Sequence, residues 1–235
     1  MNNEEQKISD EAIAWVKAHQ KDIVQKFAGS YPSTNDIPIP IPISIFMAGS
    51  PGAGKTEFSK SLLLLLRESI VRIDPDEVRN FLPQYMPGKA HLFQGAVSVA
   101  IEKIHDHVLR GRKDFLLDGT FSNLVKAREN ISRSIEKSRT VLIQYVYQDP
   151  LVAWDFTKKR EAIEGRNIPK ESFVEQLFAA RDNVDAIKSE FGDRVSIDLV
   201  RRNIQTDKYD MKIDVHRVAD KVLAGYTKDI LLKQL

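Results

Sequence analysis

Apolar positions change their spacing along this chain, and each change marks an element. Over residues 8–28, Ile13, Val16, Ile23, Val24 and Phe27 fall on one side of a helix, with Ser9 as its N-cap. Residues 29–42 are turn-rich, and Pro38, Pro40 and Pro42 alternate with isoleucines as a stiff connector. The run 43–47 is apolar enough for a buried strand, and 58–66 has the length and composition of a helix. Residues 70–73 form a short second strand, broken by Asp74-Pro75-Asp76-Glu77 into a new helix. Over 91–110, Val97, Ile101, Ile104 and Val108 share one stripe, and Gly111 closes that helix. A third strand, 115–117, ends at Asp118-Gly119-Thr120. Then come a helix over 122–138, a strand over 140–147, helices over 151–164 and 170–191, and a last core strand over 194–200. The tail, 215–235, has helical spacing.

Strands alternating with helices predict an α/β fold, a parallel sheet covered by helices on both faces. No repeat, low-complexity run or linker divides the chain, so residues 1–235 are expected to form one domain. Within it, 1–40 are an N-terminal helix and connector, 41–200 the core and 201–235 a helical tail. The first helix is expected to pack on the domain; the sharper alternative is a detachable arm that occludes the ligand site.

Composition narrows the functions. Of 235 residues, 42% are hydrophobic and 29% charged, the balance of a globular protein. With 35 basic and 33 acidic residues the net charge is +2, which gives no electrostatic footprint for nucleic acid or an anionic membrane. There is no cysteine, hence no disulfide or thiolate metal site. The start, Met1-Asn2-Asn3-Glu4-Glu5, lacks the order of a signal peptide, and the run Leu62 to Leu66 is far short of a membrane span. A soluble, cytoplasmic protein is expected.

One stretch carries specific chemistry. Gly49-Ser50-Pro51-Gly52-Ala53-Gly54-Lys55-Thr56 fits the Walker A pattern G-x-x-x-x-G-K-[ST], between a predicted strand and a predicted helix. That context points backbone N–H groups and the positive end of the helix dipole at one spot, where a polyphosphate is held without side chains. Lys55 is placed to reach the β- and γ-phosphates of ATP, and the Thr56 hydroxyl to ligate Mg²⁺.

In an open parallel sheet, ligands bind beyond the strands' C-terminal ends. Asp74 and Asp118 both fall there. Each suits two roles, holding Mg²⁺ or its waters, or accepting the proton of an attacking hydroxyl, and Asp74 also suits a helix N-cap. Asp76 reads as compensation for the helix dipole. The charged stretch 158–167 contains Arg160 and Arg166 where small-molecule P-loop kinases carry an arginine-bearing lid. Arginine's fixed fork of donors stabilises the charge of a phosphoryl group in flight. His105 and His107 are two apart on a helix and poorly placed to share a ligand, and Trp15 and Trp154 read as packing residues.

With these residues laid out, the chain resembles the zeta-toxin-type P-loop kinases over about residues 42–200. The resemblance rests on the Walker A stretch, Ile73-Asp74-Pro75-Asp76 with Pro83-Gln84-Tyr85, Asp118-Gly119-Thr120, Arg160, and Arg166-Asn167-Ile168-Pro169-Lys170. It implies a kinase that uses ATP to phosphorylate the 3′-hydroxyl of the amino sugar of UDP-N-acetylglucosamine, starving cell-wall synthesis, and that a small antitoxin neutralises. By matching motif, Lys55 and Thr56 would bind ATP phosphates and Mg²⁺, and Asp74 would be the general base. Glu102, Asp118 and Thr120 would contact the acceptor, and Arg160 and Arg166 would clamp phosphates. Two departures stand out: Asp118 replaces the glutamate usual before Gly-Thr, and the stretch from Arg160 to Arg166 is compact. Both touch acceptor recognition more than phosphoryl transfer, so a kinase for another metabolite or nucleotide, or an ATP-dependent binding switch, remains an alternative.

Overall fold

The computed structural model describes every residue except 35–40, 67–68, 165–166, 204–205 and 207. Its centre is a six-stranded sheet in the order β2-β3-β1-β4-β5-β6. The strands are β1 (Ile43–Ala48), β2 (Val71–Ile73), β3 (Phe115–Leu117), β4 (Thr140–Tyr147), β5 (Ser196–Asn203) and β6 (Lys208–Lys212). The first five are parallel, in register Ser44↔Phe115 and Ser44↔Val141 about the central β1. Parallel strands covered on both faces read as near-continuous apolar runs, which is why these segments stand out in the sequence.

Side chains alternate between two unequal layers. Ile45, Met47, Leu116, Val146 and Val200 face Phe58 of α3 (Lys55–Leu65). Phe46, Ala48, Phe115, Ile143, Tyr145, Ile197 and Leu199 belong to a larger core built with α1 (Asn3–Ala18), α5 (Gln94–Arg110), α6 (Leu124–Glu136) and α8 (Lys170–Phe191). The remaining helices are α2 (Gln20–Val24), α4 (Pro75–Phe81), α7 (Pro150–Glu164) and α9 (Lys228–Gln234). No described helix is long and apolar enough to cross a membrane.

Three expectations need correction. The first helix starts at Asn3, because Asn2 and Glu5 form a reciprocal capping box with both bonds at 2.9 Å; Ser9 lies inside the helix. That helix also breaks at His19, whose Nδ1 bonds the Trp15 carbonyl at 2.8 Å before α2 restarts the chain. Val16, Ile23 and Ala28 are buried in the large core, so this segment packs as expected. The prolines at 38 and 40 lie outside the described residues.

The sheet is mostly parallel, as expected, and gains one antiparallel strand. β5 continues to Asn203, and β6 pairs with it antiparallel as an exposed, lysine-bearing edge strand. The tail is helical only over Lys228–Gln234. Val215, Val218 and Val222 mimic helical spacing, but the chain there is pinned irregularly. The Asp185 carboxylate accepts from the amides of Val218 and Ala219, and the Val215 amide donates to the Ile197 carbonyl.

Candidate active site

The C-terminal ends of β1 to β5 open onto one cleft of about 550 Å³. Residues 51–56 of the Walker A stretch line it, together with Glu57, Asp74, Asp118, Thr120 and Arg160. Lys55 and Asp74 therefore share a cleft.

The phosphate loop is built by backbone conformation. Gly49 has φ 132° and Gly52 φ 72°, both on the left-handed side that side chains disfavour. A Cβ on Gly49 would stand 2.2 Å from the Val146 carbonyl oxygen, and one on Gly52 2.0 Å from that of Ala153. So the loop is pressed against β4 and α7 where only glycine fits. Gly54 caps α3, and Lys55 opens it, earlier than the expected residue 58. Lys55 Nζ donates to the carbonyls of Gly49 and Ser50 at 3.1 and 2.6 Å, which ties the side chain across the loop. Thr56 lines the cleft one residue on.

Asp74 both caps a helix and faces the cleft. It directly follows β2, and its Oδ1 accepts from the Asp76 amide at 2.8 Å to cap α4, with Pro75 in the first turn. Its Oδ2 meets Arg72 Nη2 at 2.6 Å. Burial pushes the Asp74 carboxyl above its ordinary range; Arg72 opposes that, and the neighbouring Asp118 adds to it. Each carboxylate oxygen keeps a second lone pair, so a hydroxyl can still donate to it.

Asp118 directly follows β3 and is buried as well. Its Oδ2 accepts from Arg72 at 2.8 Å and from Ser59 of α3 at 3.3 Å. Thr120 exchanges a 2.7 Å hydrogen bond with Ser122, and its carbonyl accepts from the Gly49 amide, joining the β3 loop to the phosphate loop. Arg160, on α7, reaches Asp76 Oδ2 at 3.5 Å, and Arg79 pairs with the same carboxylate. Asp76 thus does more than offset a helix dipole: it joins two arginines on the cleft wall. Arg166 lies outside the described residues.

Glu102 stands apart from the cleft. It lines a neighbouring cavity of about 900 Å³ between α5 and α6. Asp118 and Gly119 line both spaces, so the cavity adjoins the cleft at the end of β3. His105 lies on its wall, 2% exposed, and burial drops its imidazole to about 3, with Arg133 adding to the effect. It is a neutral packing residue, edge-on to Phe46 and Phe115. Among the described residues no group of three His, Cys, Asp or Glu side chains could hold a metal ion.

Sequence reasoning missed Arg72, Arg79, Ser122 and Arg202. All but Arg72 line the cleft, and Arg72 grips two carboxylates that do. A signal for Arg72 was available: a charged residue centred in a three-residue buried strand demands partners. Arg202, at the end of β5, lies 3.5 Å from where a Cβ on Gly54 would sit. Nothing in its local sequence marks it.

Comparison with known proteins extends these observations. The zeta toxin family model matches residues 33–214. Among solved structures, the chain is similar to the PezAT chromosomal toxin-antitoxin system of Streptococcus pneumoniae, with TM-score 0.63 and 15% identity, covering 99% of this chain and 87% of that one. It is also similar to the AvrRxo1-ORF1:AvrRxo1-ORF2 complex with sulphate ions, at TM-score 0.61 and 13% identity, over 91% of this chain and 70% of that one. The same complex with ATP gives TM-score 0.58 and 11% identity, over 87% and 65%. No curated protein sequence matches. At these identities the structures speak to the fold alone, while the family model takes in the phosphate loop and every strand. The chain belongs to the zeta toxin family.

Proposed function

We propose that the protein is an ATP-dependent phosphotransferase of zeta-toxin type. It passes the γ-phosphate of ATP to the 3′-hydroxyl of the amino sugar of UDP-N-acetylglucosamine and acts as a toxin on cell-wall precursor supply. The observation that carries this reading is the shared cleft. Lys55 on the phosphate loop and buried Asp74 just after β2, one strand removed from β1, line one space, and Asp118 leads from it into the adjoining cavity. The glycine contacts support ATP, since the loop's close approach to β4 and α7 leaves room for backbone donors and little else.

In the reaction the hydroxyl oxygen attacks the γ-phosphorus as the bond to the β,γ-bridging oxygen breaks. ADP leaves with that electron pair, and the hydroxyl proton passes to Asp74. Asp74's environment suits that task, because burial keeps its proton affinity higher than that of a surface aspartate while Arg72 keeps the charged form accessible. The Thr56 hydroxyl, in the first turn of α3, would hold a Mg²⁺ ion, which supplies neutralising charge between the phosphates. Lys55 and Arg160, with Arg166 by its matching motif, act on the transferred phosphoryl group. Glu102, Asp118 and Thr120 serve the acceptor.

Residues 1–235 act as one unit. No residue of 1–34 lines the cleft, and Val16, Ile23 and Ala28 are core, which supports a structural N-terminal segment over an occluding arm. The similarity to toxin-antitoxin complexes supports a neutralising protein partner, and the protein works where ATP is plentiful, in the cytoplasm. A second reading, the same transfer to another small metabolite, is favoured by Asp118. It is shorter than the family's glutamate, and its carboxylate is engaged by Arg72 and Ser59.

Mass spectrometry tests both readings. The purified protein is given ATP, Mg²⁺ and either UDP-N-acetylglucosamine or a bacterial metabolite extract. A phosphate added to the sugar nucleotide, lost by roughly 10²-fold or more in Lys55→Ala, supports the first. Phosphorylation of a different metabolite supports the second. ATP turnover with no phosphorylated acceptor in either mixture overturns both.

A further inference from the structure

Arg72 is 8% exposed, centred in β2 between buried Val71 and Ile73. Its Nη2 donates to Asp74 Oδ2 at 2.6 Å and to Asp118 Oδ2 at 2.8 Å, and its Nη1 pairs with Glu77. Its Nε is buried without a partner. One guanidinium thus touches the residue that follows β2, the residue that follows β3 and the first turn of α4. A buried cation is a poor staple: desolvation offsets much of its attraction, and apolar residues of similar volume stabilise as well or better. What an apolar residue lacks is a charged Nη2 that offers an N–H to each of two carboxylates, in a fork whose other arm, Nη1, is fixed by Glu77. Without a cation between them, those carboxylates would repel, and one would move away or take up a proton.

We propose that Arg72 is a positioning residue for phosphoryl transfer: its guanidinium ties Asp74 to Asp118, so that the proton acceptor and the carboxylate at the acceptor cavity keep one fixed separation. This inference rests on the reading of Asp74 as the proton acceptor. It also gives the shortened Asp118 a use. From β3 its carboxylate reaches Arg72 and Ser59, and through Arg72 it braces Asp74. The charged groups facing Asp74 are Arg72 from β2, Asp118 from β3, and Asp76 and Glu77 from α4. Farther along the cleft wall are Lys55, Arg79, Arg160 and Arg202.

The test compares full-length wild type, Arg72→Met and Arg72→Lys by carboxyl ¹³C NMR titration of aspartates, with Asp74→Asn and Asp118→Asn assigning the resonances. Arg72→Met is expected to raise the Asp74 midpoint by about one pH unit or more. Arg72→Lys keeps the charge but not the fork, so its midpoint moves less. Its kcat for phosphoryl transfer from ATP, in the mixtures above, falls roughly tenfold while KM for ATP holds. Should Arg72→Met fail to give a native spectrum, the Lys variant carries the test. A structural role alone would move neither the midpoint nor the ratio of kcat to KM. An unchanged Asp74 midpoint with transfer within about twofold of wild type in Arg72→Lys, while Asp74→Asn is inactive, overturns the inference about Arg72 alone. Full transfer by Asp74→Asn overturns the reading beneath it.

Discussion

Two buried arginines sit at opposite ends of the same sheet, and their partners differ. Arg139, 6% exposed, precedes β4 at the strands' N-terminal ends. Its Nε donates to the Ser44 hydroxyl at 2.6 Å and its Nη2 to the carbonyls of Ile43 and Lys113 at 2.7 and 2.6 Å. The guanidinium also lies 5.0 Å from the centre of the Phe115 ring. Burial lowers it to about 10, with Asp114 opposing and Arg112 adding. Arg72, at the C-terminal ends, is bound by carboxylates, and these outweigh burial to raise it above its ordinary value. Neutral acceptors fix a loop in place. Carboxylates beside a phosphate loop hold charge that a reaction can use. One end of the sheet keeps the fold, and the other is the end proposed to do the chemistry.

The largest effect should come from the structural end. Arg139→Ala strands a hydroxyl and two carbonyls and is expected to cost about 3 kcal/mol in urea unfolding, with transfer per folded molecule unchanged. A loss of kcat in the folded fraction would blur the distinction.

His105 sharpens it next, through pH. Its folded value, about 3, lies below its unfolded value near 6.5, so its stabilising contribution is complete above pH 6.5 and drains away as pH falls toward 3. The unfolding free energy of wild type, from urea titrations, should decline by up to about 1.4 kcal/mol per pH unit relative to His105→Leu in that window. Parallel pH profiles would contradict the burial argument.

Asp74 has the opposite sign. Its folded value is raised, so it favours the fold only below about the unfolded 3.8, and the charged form weakens it at neutral pH. Asp74→Asn keeps an oxygen for the cap, and its melting temperature at pH 7 should match or exceed that of wild type by a few degrees. The gain should vanish on acidification, and a variant clearly less stable at pH 7 would argue against it. The smallest effect belongs to neither end: Asn2→Ala removes the α1 capping box and should cost about 1 kcal/mol, leaving activity untouched.

How much of this could be read from the sequence follows from range. The phosphate loop was legible because eight consecutive residues specify it, and the stripe of α5 because 3.6-residue spacing is local. The ends of β1 to β4 fell within a residue, which put Asp74 and Asp118 at the cleft edge. What escaped depends on distant partners. Arg72 meets Asp118 46 positions away, and Arg160 meets Asp76 at a separation of 84. β6 is too polar and exposed to register as a strand until β5 is there to pair with it. The segment after Val215 follows helical spacing but obeys the Asp185 carboxylate instead.

The most direct test of the central claim is one comparison of Asp74→Asn with wild type, reading γ-phosphate transfer from ATP to an alcohol by mass spectrometry in the metabolite mixture. The account predicts that the variant binds ATP with unchanged Kd while kcat falls by roughly 10²–10⁴. Transfer at the wild-type rate would contradict it.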